Sequence, residues 1–229
     1  MKKKTLISLV LNCAIVIFTV IAIGKFFVST GDANMQLSGW ACMRFFTNLS
    51  NVLVALTALF AAFAQLKNFK SGEENLPRGV FLFKFVGTVS VTVTFLTCVF
   101  FLGPTSVISG AAMGQGIQLS RYFNFFKGNT FFLHFFTPLI SVISFVFFET
   151  AEEFTKKQAW LGLLPTVVYS AVYFYEVVIV GFRNGGWYDF YGFTFGGNLK
   201  MAPVSALMMY AATLAISLLL RKMNRKARS

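Results

Sequence analysis

Residues 5–28 read TLISLVLNCAIVIFTVIAIGKFFV, an apolar run whose one charge is Lys25. About 20 such residues are enough to cross the hydrocarbon of a bilayer as a helix. Five more runs of this kind follow, at about 45–66, 80–102, 130–148, 160–182 and 203–220, each closed by charges, Gly or Pro. Lipid offers the backbone no hydrogen bonds, so a spanning segment must pair its own N–H and C=O groups as a helix or join a closed barrel. Barrel strands alternate polar and apolar residues, and these runs do not. The pattern predicts an all-α polytopic bundle of six transmembrane helices, folded as a single domain over residues 1–229. Composition agrees: charged residues are 12% of the chain, about half the share usual in soluble domains. The N-terminal run outlasts the apolar core of a secretory signal and no A-x-A site follows, so it reads as a retained first span.

Lysine and arginine set the orientation. Fourteen of the 20 lie at one set of span ends; the other six are Lys25, Arg44, Arg121, Lys127, Arg183 and Lys200. Both termini are therefore expected in the cytoplasm, with Gly-rich loops near 29–44, 103–129 and 183–202 facing outward. The net charge of +12 is a topology signal rather than a nucleic-acid footprint, because it clusters at span ends and not along one polar face. Cys13, Cys42 and Cys98 form no CxxC pair, and with one histidine in the chain no metal site is expected. There is no Walker loop and no GxGxxG after a strand, so no nucleotide or other cofactor is expected. No internal repeat of the inverted-transporter kind is visible. The phenylalanine runs read as lipid-facing bulk, and Lys84 as a side chain that snorkels to the cytoplasmic face.

The polar residues inside the spans are the informative ones. The second run opens with RFFTNLSN, carrying Arg44, Thr47, Asn48, Ser50 and Asn51. The fourth contains His134, Thr137, Pro138 and Ser141 at i, i+3, i+4 and i+7, one helical stripe. Spans 2 and 4 run in the same direction, so Thr47 and His134 fall at similar depth, within roughly 10 Å of the outer boundary. An ionisable residue inside a membrane is a functional-site hypothesis. A hydroxyl, an imidazole to take its proton and amides to receive an oxyanion are the minimum set for nucleophilic acyl chemistry. In this reading Thr47 is the nucleophile and His134 the base. Asn48, Asn51, Ser50 and Arg44 form the oxyanion site or pocket wall, and Glu176 or Asp189 orients the histidine. Each has a plainer alternative: helix-to-helix hydrogen bonding for His134 and the asparagines, a backbone-bonded hydroxyl for Thr47, pairing with Arg183 or Tyr173 for Glu176, and an interfacial aromatic belt for the GWYDFYG loop.

RFFTNLSNVLVAL and LHFFTPLISVISFVFFE resemble the corresponding segments of a six-span membrane family. Its animal members are the androgen-induced and androgen-dependent TFPI-regulating proteins, and a bacterial branch also carries the late GWYDF loop. That resemblance implies a threonine hydrolase acting on fatty acid esters of hydroxy fatty acids, with Thr47 and His134 at the positions of the family's nucleophile and histidine. TNLSN after the nucleophile departs from the animal pattern and leaves the acyl substrate open. The implied partners are a lipid ester substrate and membrane lipids, with no nucleic acid and no obligate protein partner. The implied location is a bacterial cytoplasmic membrane, with the site near the outer leaflet. The alternative is a non-catalytic protein that binds a lipid or amphiphile, or conducts protons through His134 and Glu176. Against conduction, the inner half of the bundle is expected to be dry.

Overall fold

The structure, a computed structural model, describes residues 2–28, 38–73, 75–151 and 154–227. Six helices are long and apolar enough to span a membrane: α1 Lys3–Val28, α2 Phe46–Phe69, α3 Arg78–Gln115, α4 Gly128–Phe148, α5 Lys156–Val180 and α6 Met201–Lys226. No strand occurs among the described residues. The protein is an integral, multi-pass helix bundle. An even number of spans places both termini on one side, called the termini side below; the opposite side is the loop side.

The helices share the interior unequally. Half of the residues in the apolar windows of α3 and α4 are buried, against 17% in α5, so α3 and α4 form the centre and α5 faces the lipid. Gly87 brings α3 against α2, where an added Cβ would lie 3.1 Å from the Val54 Cα. Small residues permit this kind of close backbone approach in membranes, where packing rather than hydrophobicity joins helices. Outward-facing side chains such as Val20, Phe63 and Leu207 are exposed and apolar, as lipid contact requires.

Two expectations need correction. The loop expected over 103–129 is largely helical. α3 continues past Gly103-Pro104 to Gln115, and a short helix, Leu119–Phe123, follows. Proline at the second position of a helical segment needs no N–H partner there. The wide turn just before it, Cys98–Leu102, takes up the ring, and the Thr105 hydroxyl donates to the Phe101 carbonyl at 2.7 Å. Nor are the phenylalanines uniformly lipid-facing. Phe81, Phe85, Phe145 and Phe154 are buried on the termini side, with Phe85 and Phe154 edge-to-face at 4.8 Å. Of the 29–44 loop, residues 29–37 lie outside those described; Gly39–Arg44 is a 3-10 turn leading into α2.

Candidate functional site

Thr47 sits in the first turn of α2 and is half-buried. It lines an open cleft of about 540 Å³, mouth included, together with Thr94 and Thr97 of α3, Tyr169 and Tyr173 of α5 and Met209 of α6. Tyr191 and Phe193, from the loop between α5 and α6, also line it. The lining is aromatic and aliphatic with scattered hydroxyls, the surface expected around a long apolar ligand with one polar end.

The GWYDFYG loop does more than sit at an interface: it folds into the bundle and closes one wall of this cleft. Asp189 holds it there, accepting from the Tyr173 hydroxyl at 2.6 Å, the Phe193 N–H at 2.9 Å, and the Thr194 N–H and hydroxyl at 2.7 and 2.6 Å. Burial raises the Asp189 pKa, but hydrogen bonds led by the Thr194 hydroxyl and Tyr173 outweigh it, so the carboxyl lies below its usual range. Tyr173 packs on the Phe190 ring at 5.0 Å, and the Tyr191 hydroxyl accepts from the Phe46 N–H at the start of α2, at 2.9 Å. The loop thereby caps a helix end whose first amides have no partner within the helix.

The polar residues around Thr47 are committed elsewhere. Asn48 Nδ2 donates to the Cys42 carbonyl at 2.8 Å, which fixes the 3-10 turn. The Ser50 hydroxyl lies 2.8 Å from that of Thr94 and donates to the Thr47 carbonyl at 3.0 Å. Asn51 Nδ2 donates to the Thr47 carbonyl at 2.8 Å and to the Leu133 carbonyl at 3.0 Å, which joins α2 to α4. An NH₂ group has two hydrogens, so Asn51 has none left for an oxyanion; the donor role expected of Asn51 is not available in this geometry, and that of Asn48 is reduced to one hydrogen. The Arg44 side chain is exposed, and its carbonyl accepts from the Tyr169 hydroxyl at 2.7 Å.

His134 lies in a wide turn, Phe132–Phe136. Pro138 comes four residues later and cannot donate to the His134 carbonyl; such proline positions are where wide turns and kinks form. The ring is buried, with Nδ1 2.7 Å from the Phe125 carbonyl. A carbonyl only accepts, so Nδ1 carries the hydrogen and Nε2 keeps a lone pair, the tautomer of a general base. The orienting role expected of Glu176 or Asp189 thus belongs to a backbone carbonyl: Asp189 is spent on its own loop, and no bond from Glu176 to His134 occurs among the described residues. No hydrogen bond joins Thr47 and His134 among the described residues. They belong to neighbouring turns joined through Asn51, and His134 does not line the Thr47 cleft.

A second polar centre, on the termini side, overturns the expectation of a dry inner half. Lys84 is fully buried rather than snorkelling, 3.9 Å from Glu149, which is 1% exposed. Glu149 Oε1 accepts from Asn12 Nδ2 at 2.8 Å and from the Ser144 hydroxyl at 2.7 Å. Asn12 also reaches Gln65 Oε1 at 3.3 Å, and Gln65 Nε2 donates to the Ser8 hydroxyl. In the sequence, Asn12 and Gln65 inside the apolar runs of spans 1 and 2 are the signal of this centre. Between the two centres the polar stripe of α4 stays buried through Thr137, Ser141 and Ser144, with Ser141 2.9 Å from the Thr88 hydroxyl. No group of histidine, cysteine or carboxylate side chains suited to a metal occurs among the described residues. No protein-family model, curated protein or solved structure matches the chain.

Proposed function

We propose that the protein is an intramembrane lipid ester hydrolase with Thr47 as nucleophile and His134 as base. The observation that carries the reading is the half-buried Thr47 side chain at the wall of an open cleft lined by aromatic and aliphatic side chains. The fixed Nδ1–H of His134 and the resemblance in RFFTNLSN and LHFFTPL support it. In this scheme a lipid ester enters sideways, the exposed Arg44, whose carbonyl accepts from the cleft residue Tyr169, holds a free carboxylate, and His134 takes the Thr47 proton as the hydroxyl attacks the carbonyl. The oxyanion is received by the second Nδ2 hydrogen of Asn48, the one not given to the Cys42 carbonyl. His134 gives that proton to the departing alcohol as the ester C–O bond breaks, and then takes one from water, whose oxygen displaces Thr47 from the acyl group, freeing the acid and restoring the hydroxyl. The site lies near the outer leaflet of a bacterial cytoplasmic membrane in this reading, as the Lys and Arg asymmetry suggests.

The test is covalent. A fluorophosphonate probe is expected to label the purified protein at Thr47, with labelling and ester turnover lost in Thr47→Ala and turnover lost in His134→Gln. Labelling that survives Thr47→Ala sinks the nucleophile assignment. That His134 neither lines the Thr47 cleft nor bonds to Thr47 favours a second reading, an amphiphile-binding protein without turnover. It predicts saturable ester binding, weakened by filling the cleft with Thr97→Phe, and no product.

A further inference from the structure

On the termini side α5 and α6 end beside one another, and contact fixes their register. The two run antiparallel, and Gly162 of α5 sits against the Ser217 hydroxyl of α6. Lys157 lies five residues before Gly162 and Lys222 five residues after Ser217, so the two lysines stand at one level. Arg221 Nε donates to the Phe154 carbonyl at 2.9 Å, which holds the start of α5 on the tail of α6. The Thr155 hydroxyl accepts from the Gln158 N–H at 3.3 Å, and Gln158 Oε1 accepts from the Thr155 N–H at 2.8 Å. This capping box begins the helix at Lys156.

Both helices carry the same pattern on an exposed face. On α5, Lys157, Trp160, Leu161 and Leu164 fall at i, i+3, i+4 and i+7, and all four are exposed. On α6, Leu218, Lys222 and Arg225 fall at i, i+4 and i+7, also exposed, with exposed Leu219 beside Leu218. On each helix the cation is nearest the termini side and the apolar side chains lie one or two turns deeper, about 10 Å from Lys157 to Leu164. A phospholipid has the same polarity in the same order, phosphate in the interface and acyl chains beneath it, and Trp160 takes the position of an interfacial tryptophan. The charge does not cancel locally. Residues 152–157 and 222–226 hold five cations against two acidic residues, Glu152 and Glu153, which lie outside those described. No ion pair of Lys156, Lys157, Lys222 or Arg225 occurs among the described residues. At the neighbouring end, where α2 and α3 carry Lys67 and Arg78, the exposed Glu73 stands in the turn between them.

We propose that the paired ends of α5 and α6 form a binding site for an anionic phospholipid of the termini-side leaflet, its phosphate between Lys157 and Lys222 and its chains along Leu161, Leu164 and Leu218. Two like charges held level on touching helices repel one another. A phosphate between them replaces that repulsion with two charge-assisted contacts. The tail of α6 serves the same end: it stays helical past its apolar run to Lys226, which keeps Lys222 and Arg225 on one stripe. The occupant is a lipid rather than a nucleic acid or an acidic peptide because the cations pass directly into apolar side chains on α5, the span with only 17% of its apolar window buried. The site lies on the opposite side of the membrane from the Thr47 cleft and does not depend on the reading of that cleft.

The experiment reads quenching at Trp160 in the full-length protein. Trp40→Phe/Trp187→Phe leaves Trp160 as the one tryptophan, and the protein is placed in mixed phosphatidylcholine and phosphatidylglycerol vesicles. Brominated chains are carried either by the phosphatidylglycerol or by the same mole fraction of phosphatidylcholine. Stronger quenching by the brominated phosphatidylglycerol is expected, with a preference that falls as salt is raised. Lys157→Gln and Lys222→Gln are each expected to reduce the preference about fivefold, while Lys157→Arg/Lys222→Arg retains it. Lys67→Gln/Arg78→Gln removes the same charge at the α2–α3 end and is expected to leave the preference unchanged. Equal quenching by the two brominated lipids, with the protein folded by circular dichroism, overturns the proposal. An equal loss in Lys67→Gln/Arg78→Gln overturns it too, since the effect is then diffuse surface charge and not a site.

Discussion

Replacing Lys84 by methionine keeps the length and most of the volume of the side chain and removes the charge. Glu149 then sits 1% exposed with no basic group beside it. At 3.9 Å and an effective dielectric constant of about 20, the lost attraction is about 4 kcal/mol. Removing one partner of a buried pair typically costs about 3–5 kcal/mol, in agreement. The double change Lys84→Met/Glu149→Gln leaves no charge to compensate. Gln still offers an oxygen to Asn12 and Ser144, so the double variant is expected within about 1.5 kcal/mol of wild type. The assay is a double-mutant cycle on unfolding in mixed micelles, followed by helical circular dichroism. A coupling of about 2–4 kcal/mol is expected, with Lys84→Met the least stable of the four proteins. Additive single effects, each below about 1 kcal/mol, would falsify the claim that the two side chains form one interacting pair.

Other consequences are independent of that pair. Asp189→Asn sets an NH₂ among the donors Phe193 N–H, Thr194 N–H and Tyr173 O–H; a loosened loop, read as a red-shifted Trp187 emission in a background of Trp40→Phe/Trp160→Phe, is expected at a cost of about 1–2 kcal/mol. The same loop should respond to acid. Its carboxyl lies below the usual range, so the ionised contribution is complete above about pH 4 and is lost as pH falls through the lowered value; an emission unchanged down to that range contradicts the role given to Asp189. Gly162→Ala places a methyl on the Ser217 hydroxyl and 3.0 Å from Val89. Overpacking there should cost about 1–3 kcal/mol, and adding Ser217→Gly should restore most of it in thermal scans; no rescue means that the α5–α6 approach is not limited at this contact. Tyr191→Phe removes the acceptor for the first amide of α2, and faster hydrogen exchange at Phe46 is expected, with Asn68 at the far end of the helix unchanged.

The sequence by itself determined the six spans, because long apolar runs in lipid leave the backbone no option but to bond within each segment. It also determined that Asn48, Ser50 and Asn51 of RFFTNLSN and the His134 stripe face protein, since facing lipid is the costly alternative. Span boundaries were legible to within a turn or so except at the end of α6, which runs on through a charged tail to Lys226, and in α3, where Gly103-Pro104 reads as a stop and the wide turn before it lets the helix continue to Gln115. What each polar atom bonds to was decided only by tertiary structure. A periodicity says that Asn51 faces inward, not that both its hydrogens go to carbonyls of two helices. A lone Lys84 near a span end reads as a snorkelling side chain, and only the packing of α1, α2 and α4 around it shows a buried ion partner from beyond the end of α4. Depth along one helix follows from a rise of about 1.5 Å per residue. Whether two residues at equal depth meet depends on how their helices rotate and cross, and that is set by side chains far apart in the sequence.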